Sequence, residues 1–268
     1  MSSITNSLLS IRLLDDLSEK DTLIHRLHPL VKLLTTVAFL TVVISFNRYE
    51  ISGLMIFIFY PVIIFSLAEI PIIPILKRVL LMEPIIIGIG ILNPIFDQQL
   101  FNFCGIEMSR GWITLLSIMI KSGLTETSAL LLVATTGMNK LAEAMRMIKI
   151  PRIFVMQLLL TYRYIIVMME EVGRILRAYS LRSPNQKGLH ISVWGSLTGQ
   201  LILRTFDRGE RIYQSMRLRG YTGEYNSGSQ SKLNTNDFLY LVGCCLFFII
   251  ARIYNLPLII GSLLTGVI

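Results

Sequence analysis

The first half of the chain is built from long apolar runs separated by short polar breaks. Residues 30–46 carry one charge, and residues 51–68 carry none. Further apolar runs cover residues 79–96, 112–136 and 238–253. A helix needs roughly 20 apolar residues to cross a bilayer core about 30 Å thick. The pattern therefore predicts about five transmembrane helices.

The pattern changes in residues 138–220, where charges recur every few positions among Leu, Ile and Met. Apolar residues that share one helical face predict amphipathic helices over 139–149, 152–182 and 192–219. Residues 222–236 are rich in Gly, Ser, Asn and Thr, a composition typical of a linker. The three helices cannot bury a core of their own well, so we expect them to pack on the membrane surface, on one another or on a partner.

Composition supports a membrane protein. Hydrophobic residues make up 53% of the chain and the mean hydropathy is +0.63, which is too apolar for an ordinary soluble domain. We expect an all-α integral membrane protein with about five transmembrane helices and a module of three amphipathic helices. The predicted segments are an N-terminal cytosolic segment 1–29, transmembrane helices 1–4 in 30–137, the amphipathic helices in 138–221, the linker 222–236 and a last transmembrane helix in 237–268.

The net charge of +8 comes largely from basic residues beside apolar spans, so we reject a nucleic-acid surface. With the N-terminus inside and five spans, segments 1–29, 69–78 and 138–234 hold 3, 2 and 15 Lys or Arg residues. The loops on the opposite side hold Arg48 and Arg110. Because basic residues concentrate on the cytosolic side of membrane proteins, we expect the N-terminus and the amphipathic helices of this cell-membrane protein to be cytosolic.

Residues suited to metal or catalytic chemistry are scarce. Cys104, Cys244 and Cys245 form no Cys-x-x-Cys pair, and the three histidines are scattered. The sequence therefore predicts no metal site, no disulfide framework and no catalytic residue. An intramembrane lipid or prenyl transferase would need spaced acidic residues that hold Mg²⁺, whereas Asp15 and Asp16 are adjacent.

Two ionisable residues, Lys121 and Glu126, lie inside the predicted fourth span. An ionisable group at that depth is costly unless it is paired or hydrated. One interpretation is an intramembrane polar contact that matters during motion. The other is a buried pair between the two residues or with a neighbouring helix. Lys32, at the edge of the first span, is expected to extend its ammonium group to the membrane surface.

The two longer amphipathic helices end on similar triplets, Leu181-Arg182-Ser183 and Leu218-Arg219-Gly220. A cation at a helix C-terminus is favoured by the helix dipole by about 0.3–1 kcal/mol, which is enough to explain a single arginine. Two such ends suit two equivalent acidic pockets on a partner, because the guanidinium fork pairs well with carboxylates.

Six segments carry a resemblance to a known family. They are His28–Leu34, Val133–Thr136, Ile150–Arg152, Thr161–Tyr164, Glu170-Glu171 and Arg204–Tyr221. Together they resemble the transmembrane (T) component of energy-coupling-factor (ECF) ABC importers. The last segment is most similar to the CbiQ branch, the T component of cobalt importers.

The resemblance implies roles for the helix ends. Arg182 and Arg219 would be the arginines of two motifs that end the coupling helices. The flanking residues of these motifs would be Leu181, Ser183, Leu218 and Gly220. Ala178-Tyr179-Ser180 is an alternative frame for the first motif.

The resemblance also implies a coupling subunit rather than an enzyme. Two cytosolic ABC ATPase subunits would dock on the coupling helices, and a CbiM/CbiN-like membrane subunit would bind the substrate. ATP and Mg²⁺ would be held by the ATPases, with no cofactor in this chain. Cobalt is the implied substrate, and nickel or a vitamin is the alternative.

Two other functions fit a basic membrane protein. A conventional ABC permease subunit would bind substrate itself and would carry a Glu-Ala-Ala-like motif with a downstream glycine, to which Glu170–Gly173 is a poor match. A surface-anchored basic module could bind anionic lipid. It would not explain two matched helix ends.

Overall fold

The computed structural model describes residues 15–96, 100–103, 106–183, 190–221 and 233–254. Within them, one antiparallel hairpin pairs β1 (Leu100–Phe103) with β2 (Ile106–Ser109), in the segment between the apolar runs 79–96 and 112–136. The other elements are helices, which confirms the predicted all-α class. They are α1 Leu23–Arg26, α2 Pro29–Ser45, α3 Ser52–Phe57, α4 Phe59–Ala68, α5 Ile72–Gly90, α6 Leu92–Phe96, α7 Gly111–Thr136, α8 Met138–Met147, α9 Arg152–Arg182, α10 Ile191–Leu218 and α11 Thr235–Ile253.

The chain divides into two compact units. The bundle unit comprises residues 17–137 and 231–268, and the arginine unit comprises residues 1–16 and 138–230. The boundary follows Gly137, which ends α7 with a φ of +73°. A Cβ at this glycine would lie 2.7 Å from the hydroxyl oxygen of Ser18, so a larger residue there would be strained.

Four of the described helical stretches are long and apolar enough to cross a membrane. They are Ile72–Phe96, Gly111–Thr136, Arg152–Arg182 and Thr235–Ile253, whose most apolar 18-residue windows have mean hydropathies of 2.0, 1.4, 1.5 and 1.7. Pro29–Ser45 and Ser52–Ala68 are shorter apolar stretches. The chain is thus an integral membrane protein, as predicted. Helix α9, predicted as an amphipathic helix of the cytosolic module, also has the length and hydropathy of a span.

Prolines account for two differences from the predicted spans. The run 51–68 forms two helices that divide at Ile58, because Pro61 has no N–H for the carbonyl of Phe57 and its ring crowds that carbonyl. The third span was expected to begin at Val79. Instead α5 begins directly after its N-cap residue, Pro71. A proline disfavours the helical conformation in the residue before it, so the helix does not extend back to Ile70.

The core of the bundle unit is aromatic. Phe39, Phe57 and Phe248 are fully buried. The ring of Phe39 lies 5.9 Å from that of Phe57, 5.5 Å from that of Phe248 and 4.5 Å from that of Tyr60. These centroid distances are typical of favourable aromatic pairs. The cluster joins α2, α3, α4 and α11, which are far apart in sequence.

The prediction that Lys32 extends its ammonium group to the membrane surface is wrong. Its side chain is buried, and its ammonium group donates hydrogen bonds to the carbonyl oxygens of Thr135 (2.8 Å) and His25 (3.2 Å). Thr135 lies in the last turn of α7, where carbonyls lack helical partners and a cation is favoured by the helix dipole. Lys32 therefore joins the start of α2 to the end of α7.

The sequence predicted that the last helix begins at Phe238. It begins earlier, at Thr235, inside the predicted linker 222–236. Asn234 is its N-cap, and Asn234 and Asp237 form a capping box. The carboxylate of Asp237 is buried and also accepts a hydrogen bond from the backbone N–H of His28 at 3.0 Å. This contact holds the start of α11 against the start of α2. Residues 222–232 of the predicted linker lie outside the described residues.

Candidate functional site

Helices α9 and α10 of the arginine unit carry the two predicted arginine ends. They meet at a crossing point where Arg204 Nη1 lies 2.6 Å from Glu171 Oε1. Beside this pair, the hydroxyl of Thr205 donates to the sulfur of Met168. Just after the end of α10, the hydroxyl of Tyr221 donates to the sulfur of Met156. Moving forward along α10 thus moves backward along α9, so the two helices run in opposite directions.

This arrangement places Arg182 and Arg219 on opposite sides of the crossing. At a rise of 1.5 Å per residue, Arg182 lies roughly 16 Å along α9 from Glu171. On the same measure, Arg219 lies roughly 22 Å along α10 from Arg204. The two arginines are therefore presented at two separate places by one pair of helices.

The end of α10 is a well-formed Schellman motif. The N–H of Tyr221 donates to the carbonyl of Met216, and the N–H of Gly220 donates to that of Arg217, both at 3.0 Å. Gly220 has a φ of +79°, the left-handed conformation that this cap requires. Arg219 is the C-cap residue directly before it. The motif, together with the contact of Tyr221 to α9, fixes where Arg219 leaves the helix.

The end of α9 is simpler. Arg182 is its last residue, and the N–H of Ser183 donates to the carbonyl of Tyr179 at 3.0 Å. Ser183 is the C-cap residue and has a φ of −130°; the residues that follow it lie outside the described part of the chain. The alternative motif frame, Ala178-Tyr179-Ser180, lies inside α9 rather than at its end.

The leucine and the arginine of each triplet are exposed. Leu181 is 82% exposed and Leu218 is 90% exposed, and both motif arginines are also exposed. Within the described residues, neither Arg182 nor Arg219 takes part in an ion pair. An exposed leucine beside an exposed arginine at each end provides an apolar contact and a fixed charge for a partner.

A cavity of about 430 Å³ lies between α9 and α10, between the crossing and the Tyr221 contact. Its walls are mainly apolar and aromatic. Three methionines, Met156, Met168 and Met216, are among its lining residues. Methionine side chains adapt to changing surroundings because they are unbranched and polarizable. The two helices therefore touch at a few points and are not packed along their whole length.

We predict that Gly220→Ala destabilises the protein, because alanine pays a penalty of about 1 kcal/mol or more in the left-handed conformation. Gly195→Ala is the matched control, since Gly195 is in the interior of α10 and nothing lies within 4 Å of the position that an added Cβ would take. Alanine there favours the helix by up to about 1 kcal/mol. Thermal unfolding in detergent should give shifts of opposite sign, each of roughly 2–4 °C. Equal shifts would contradict the role of Gly220.

Lys121 and Glu126 belong to the bundle unit and are not paired with each other in the described residues. The ammonium group of Lys121 donates to the carbonyl of Phe46 at 2.7 Å and lies 3.4 Å from that of Asn47. Arg252 donates to the carbonyl of Ser45 at 3.1 Å. Two cations thus satisfy the C-terminal end of α2, a favourable place for positive charge.

Glu171 is the site residue that sequence analysis did not single out. Its pairing with Arg204 depends on how α9 and α10 cross, which a helical pattern does not reveal. The available signal was the adjacent pair Glu170-Glu171, which is one of the segments that resemble the family.

Metal-ligating side chains do not cluster in the part of the chain that the structure describes. No group of three or more His, Cys, Asp or Glu side chains there is placed to hold a metal ion. Glu171, the carboxylate at the crossing, accepts hydrogen bonds from Arg174 and Arg204 instead. For the whole chain, the absence of a metal site stays a prediction from the sequence.

Comparison with known proteins identifies the family. Residues 20–232 match the CbiQ cobalt transport protein family. An uncharacterized protein of Methanocaldococcus jannaschii is 26% identical over 232 residues, which cover 82% of this chain and 78% of the relative. A second uncharacterized protein of that organism is 28% identical over 225 residues, which cover 79% and 81%. Because the match covers most of its length, this chain belongs to the CbiQ family, whose members are cobalt transport membrane components of ECF-type transporters.

Proposed function

We propose that this chain is the transmembrane coupling subunit of an ECF-type cobalt importer. It transmits the ATP-driven motion of two cytosolic ATPase subunits to a separate, CbiM/CbiN-like membrane subunit that binds the metal ion. The chain itself is non-catalytic and holds no cofactor, and ATP with Mg²⁺ is bound by the ATPases. Membership of the CbiQ family supports the transporter role and the cobalt substrate.

The observation that carries this proposal is the placement of the two arginine ends. Arg182 and Arg219 are exposed and lie on opposite sides of the α9–α10 crossing. Two ATPase subunits offer two equivalent surfaces, and one arginine would dock in an acidic groove of each. A guanidinium group can donate two parallel hydrogen bonds to a carboxylate, which makes such a contact both strong and directional.

The proposed orientation puts the N-terminus and the arginine unit in the cytosol. The excess of Lys and Arg in residues 138–234 supports it. The C-terminal half of α9 is strongly charged, with Glu170, Glu171, Arg174 and Arg177 before Arg182. Such a sequence favours a helix that lies at the cytosolic surface over one that crosses the bilayer, although the N-terminal half of α9 is apolar.

In the proposed mechanism, ATP binding draws the two ATPases together and hydrolysis releases them. Each arginine end follows its own ATPase, so α9 and α10 change their angle at the crossing. The cavity between them gives room for this change, since packed helices without free space resist displacement. Apolar faces of the helices pass the movement to the substrate-binding subunit. A coupling device of this kind needs two arrangements of similar free energy.

Radioactive cobalt uptake tests the proposal against a permease that binds substrate itself. We expect uptake by cells only when this chain is expressed together with active ATPases and the CbiM/CbiN-like subunit. The purified chain alone should bind no cobalt by isothermal titration calorimetry. Uptake with ATPases but without the substrate-binding subunit, or saturable cobalt binding by the chain alone, would contradict the proposal and favour a conventional permease.

A further inference from the structure

The contacts that determine the angle between α9 and α10 are few. Described polar contacts between the two helices lie at the crossing, where Glu171 meets Arg204 and Met168 meets Thr205. Beyond it the 430 Å³ cavity separates the helices until Tyr221 reaches α9. Because little apolar packing sets the angle, a directional contact at the crossing has more influence than it would in a fully packed pair.

The carboxylate of Glu171 is suited to that role. Its side chain is 15% exposed, whereas that of Arg204 is 58% exposed. Oxygen Oε2 accepts from Arg174, three residues later on the same helix, and Oε1 accepts from Arg204 on α10. Arg174 therefore holds the carboxylate from within α9, and Arg204 makes the contact between helices.

We propose that the Glu171–Arg204 pair is a positioning contact that sets the angle between α9 and α10 and hence the separation of the Arg182 and Arg219 ends. Its importance for transport rests on the proposed function. The helix ends lie roughly 16 and 22 Å from the crossing, so a rotation of about 10° moves each by roughly 3–4 Å. Hydrogen bonds tolerate only a few tenths of an ångström, so a docked ATPase would have to shift together with its arginine end. The coupling would then be weaker although the ATPases stay bound.

The chain offers a matched pair of variants to test this. Arg204→Gln and Arg174→Gln each remove one guanidinium group from Glu171, but only the first breaks a contact between helices. Both arginines are more than half exposed, so both variants are expected to fold. We expect Arg204→Gln to change the helix angle and Arg174→Gln to leave it nearly unchanged.

The direct readout is the distance between spin labels attached at Leu181→Cys and Leu218→Cys, which are exposed positions next to the two arginines. The native cysteines, Cys104, Cys244 and Cys245, would first be replaced by serine. Pulsed electron paramagnetic resonance of the full chain should show a shifted or broadened distance distribution in Arg204→Gln relative to Arg174→Gln. Identical distributions in the two variants would overturn the proposal.

A charge exchange provides the rescue experiment. In the Arg174→Gln background, Glu171→Arg places two cations at the crossing, and adding Arg204→Glu restores an ion pair of reversed sign. We expect the exchange to recover most of the original distance distribution. An exchange variant that keeps the distribution of Glu171→Arg would overturn the positioning role.

Transport by the complete complex then separates this proposal from the proposed function. Since a partly exposed ion pair contributes little, Arg204→Gln should lower cobalt transported per ATP by about two- to fivefold, with the ATPases still recovered in the complex. If no ATPase subunits were recovered with the wild-type chain, the proposed function would be contradicted. Unchanged transport per ATP with intact docking would contradict the positioning contact alone.

Discussion

Replacing Lys32 with methionine is expected to lower the free energy of unfolding by about 2–3 kcal/mol, since hydrogen bonds from a charged donor contribute roughly 1.5–3 kcal/mol. Methionine keeps most of the apolar stem but cannot donate to the carbonyl oxygens of His25 and Thr135, which Lys32 contacts in the native structure. Buried carbonyls left without donors are costly. Thermal unfolding of the purified protein in detergent should shift downward by roughly 4–12 °C.

Lys20 provides the matched control. Its ammonium group also donates to a backbone carbonyl, that of Glu69 at 2.7 Å, but this contact is exposed to solvent. Water replaces an exposed donor at little cost, so Lys20→Met should shift the unfolding temperature by at most roughly 1–2 °C, equivalent to about 0.5 kcal/mol. If the two methionine variants unfolded at the same temperature, the structural role assigned to Lys32 would be wrong.

The contact of Lys32 with α7 could not be predicted from the sequence. A lysine at the edge of an apolar run is expected to extend to the membrane surface, because that is the cheapest solution for an isolated helix. In the folded chain the last turn of α7 supplies carbonyl acceptors beside it. The contact joins residues 103 positions apart in sequence, and no local pattern reveals it.

The apolar runs were sufficient to predict the all-α class, since a helix must satisfy its own backbone in a membrane. Local rules explain the remaining differences in helix limits, as with Pro61 and the break at Ile58. The ends of α9 and α10 were also close to prediction, because glycine and the turn residues after Arg182 mark helix ends. Their crossing at Glu171 was not predictable, since two amphipathic faces can meet at several registers.

The helix ends themselves carry the largest expected functional effect. Reversing both charges, Arg182→Glu with Arg219→Glu, should place two anions against the acidic grooves proposed on the ATPases. Truncating one partner of a buried, hydrogen-bonded charge pair costs about 2–5 kcal/mol, and like charges add repulsion. We therefore expect recovery of ATPase subunits with the membrane complex to fall at least tenfold, and cobalt uptake to fall with it.

The single variants Arg182→Glu and Arg219→Glu should differ in how much they reduce ATPase recovery. The backbone at Arg219 is held by the Schellman motif and by Tyr221, whereas the described residues at the end of α9, which stop at Ser183, show no such motif. A helix end whose backbone is already fixed loses less conformational freedom on docking. Arg219→Glu is therefore expected to reduce ATPase recovery more than Arg182→Glu.

Controls are available on the same two helices. Arg177 on α9 and Arg211 on α10 are arginines away from the helix ends. The variant Arg177→Glu with Arg211→Glu changes the net charge by the same amount as the double variant of the helix ends. Its ATPase recovery should remain within about twofold of wild type, because surface charges away from the contact contribute little.

The most direct measurement is the amount of ATPase that co-purifies with the affinity-tagged chain from membranes in these two double variants. The proposed coupling role predicts near-complete loss of both ATPase subunits with Arg182→Glu and Arg219→Glu, and normal recovery with Arg177→Glu and Arg211→Glu. Wild-type recovery from the variant of the helix ends would contradict it.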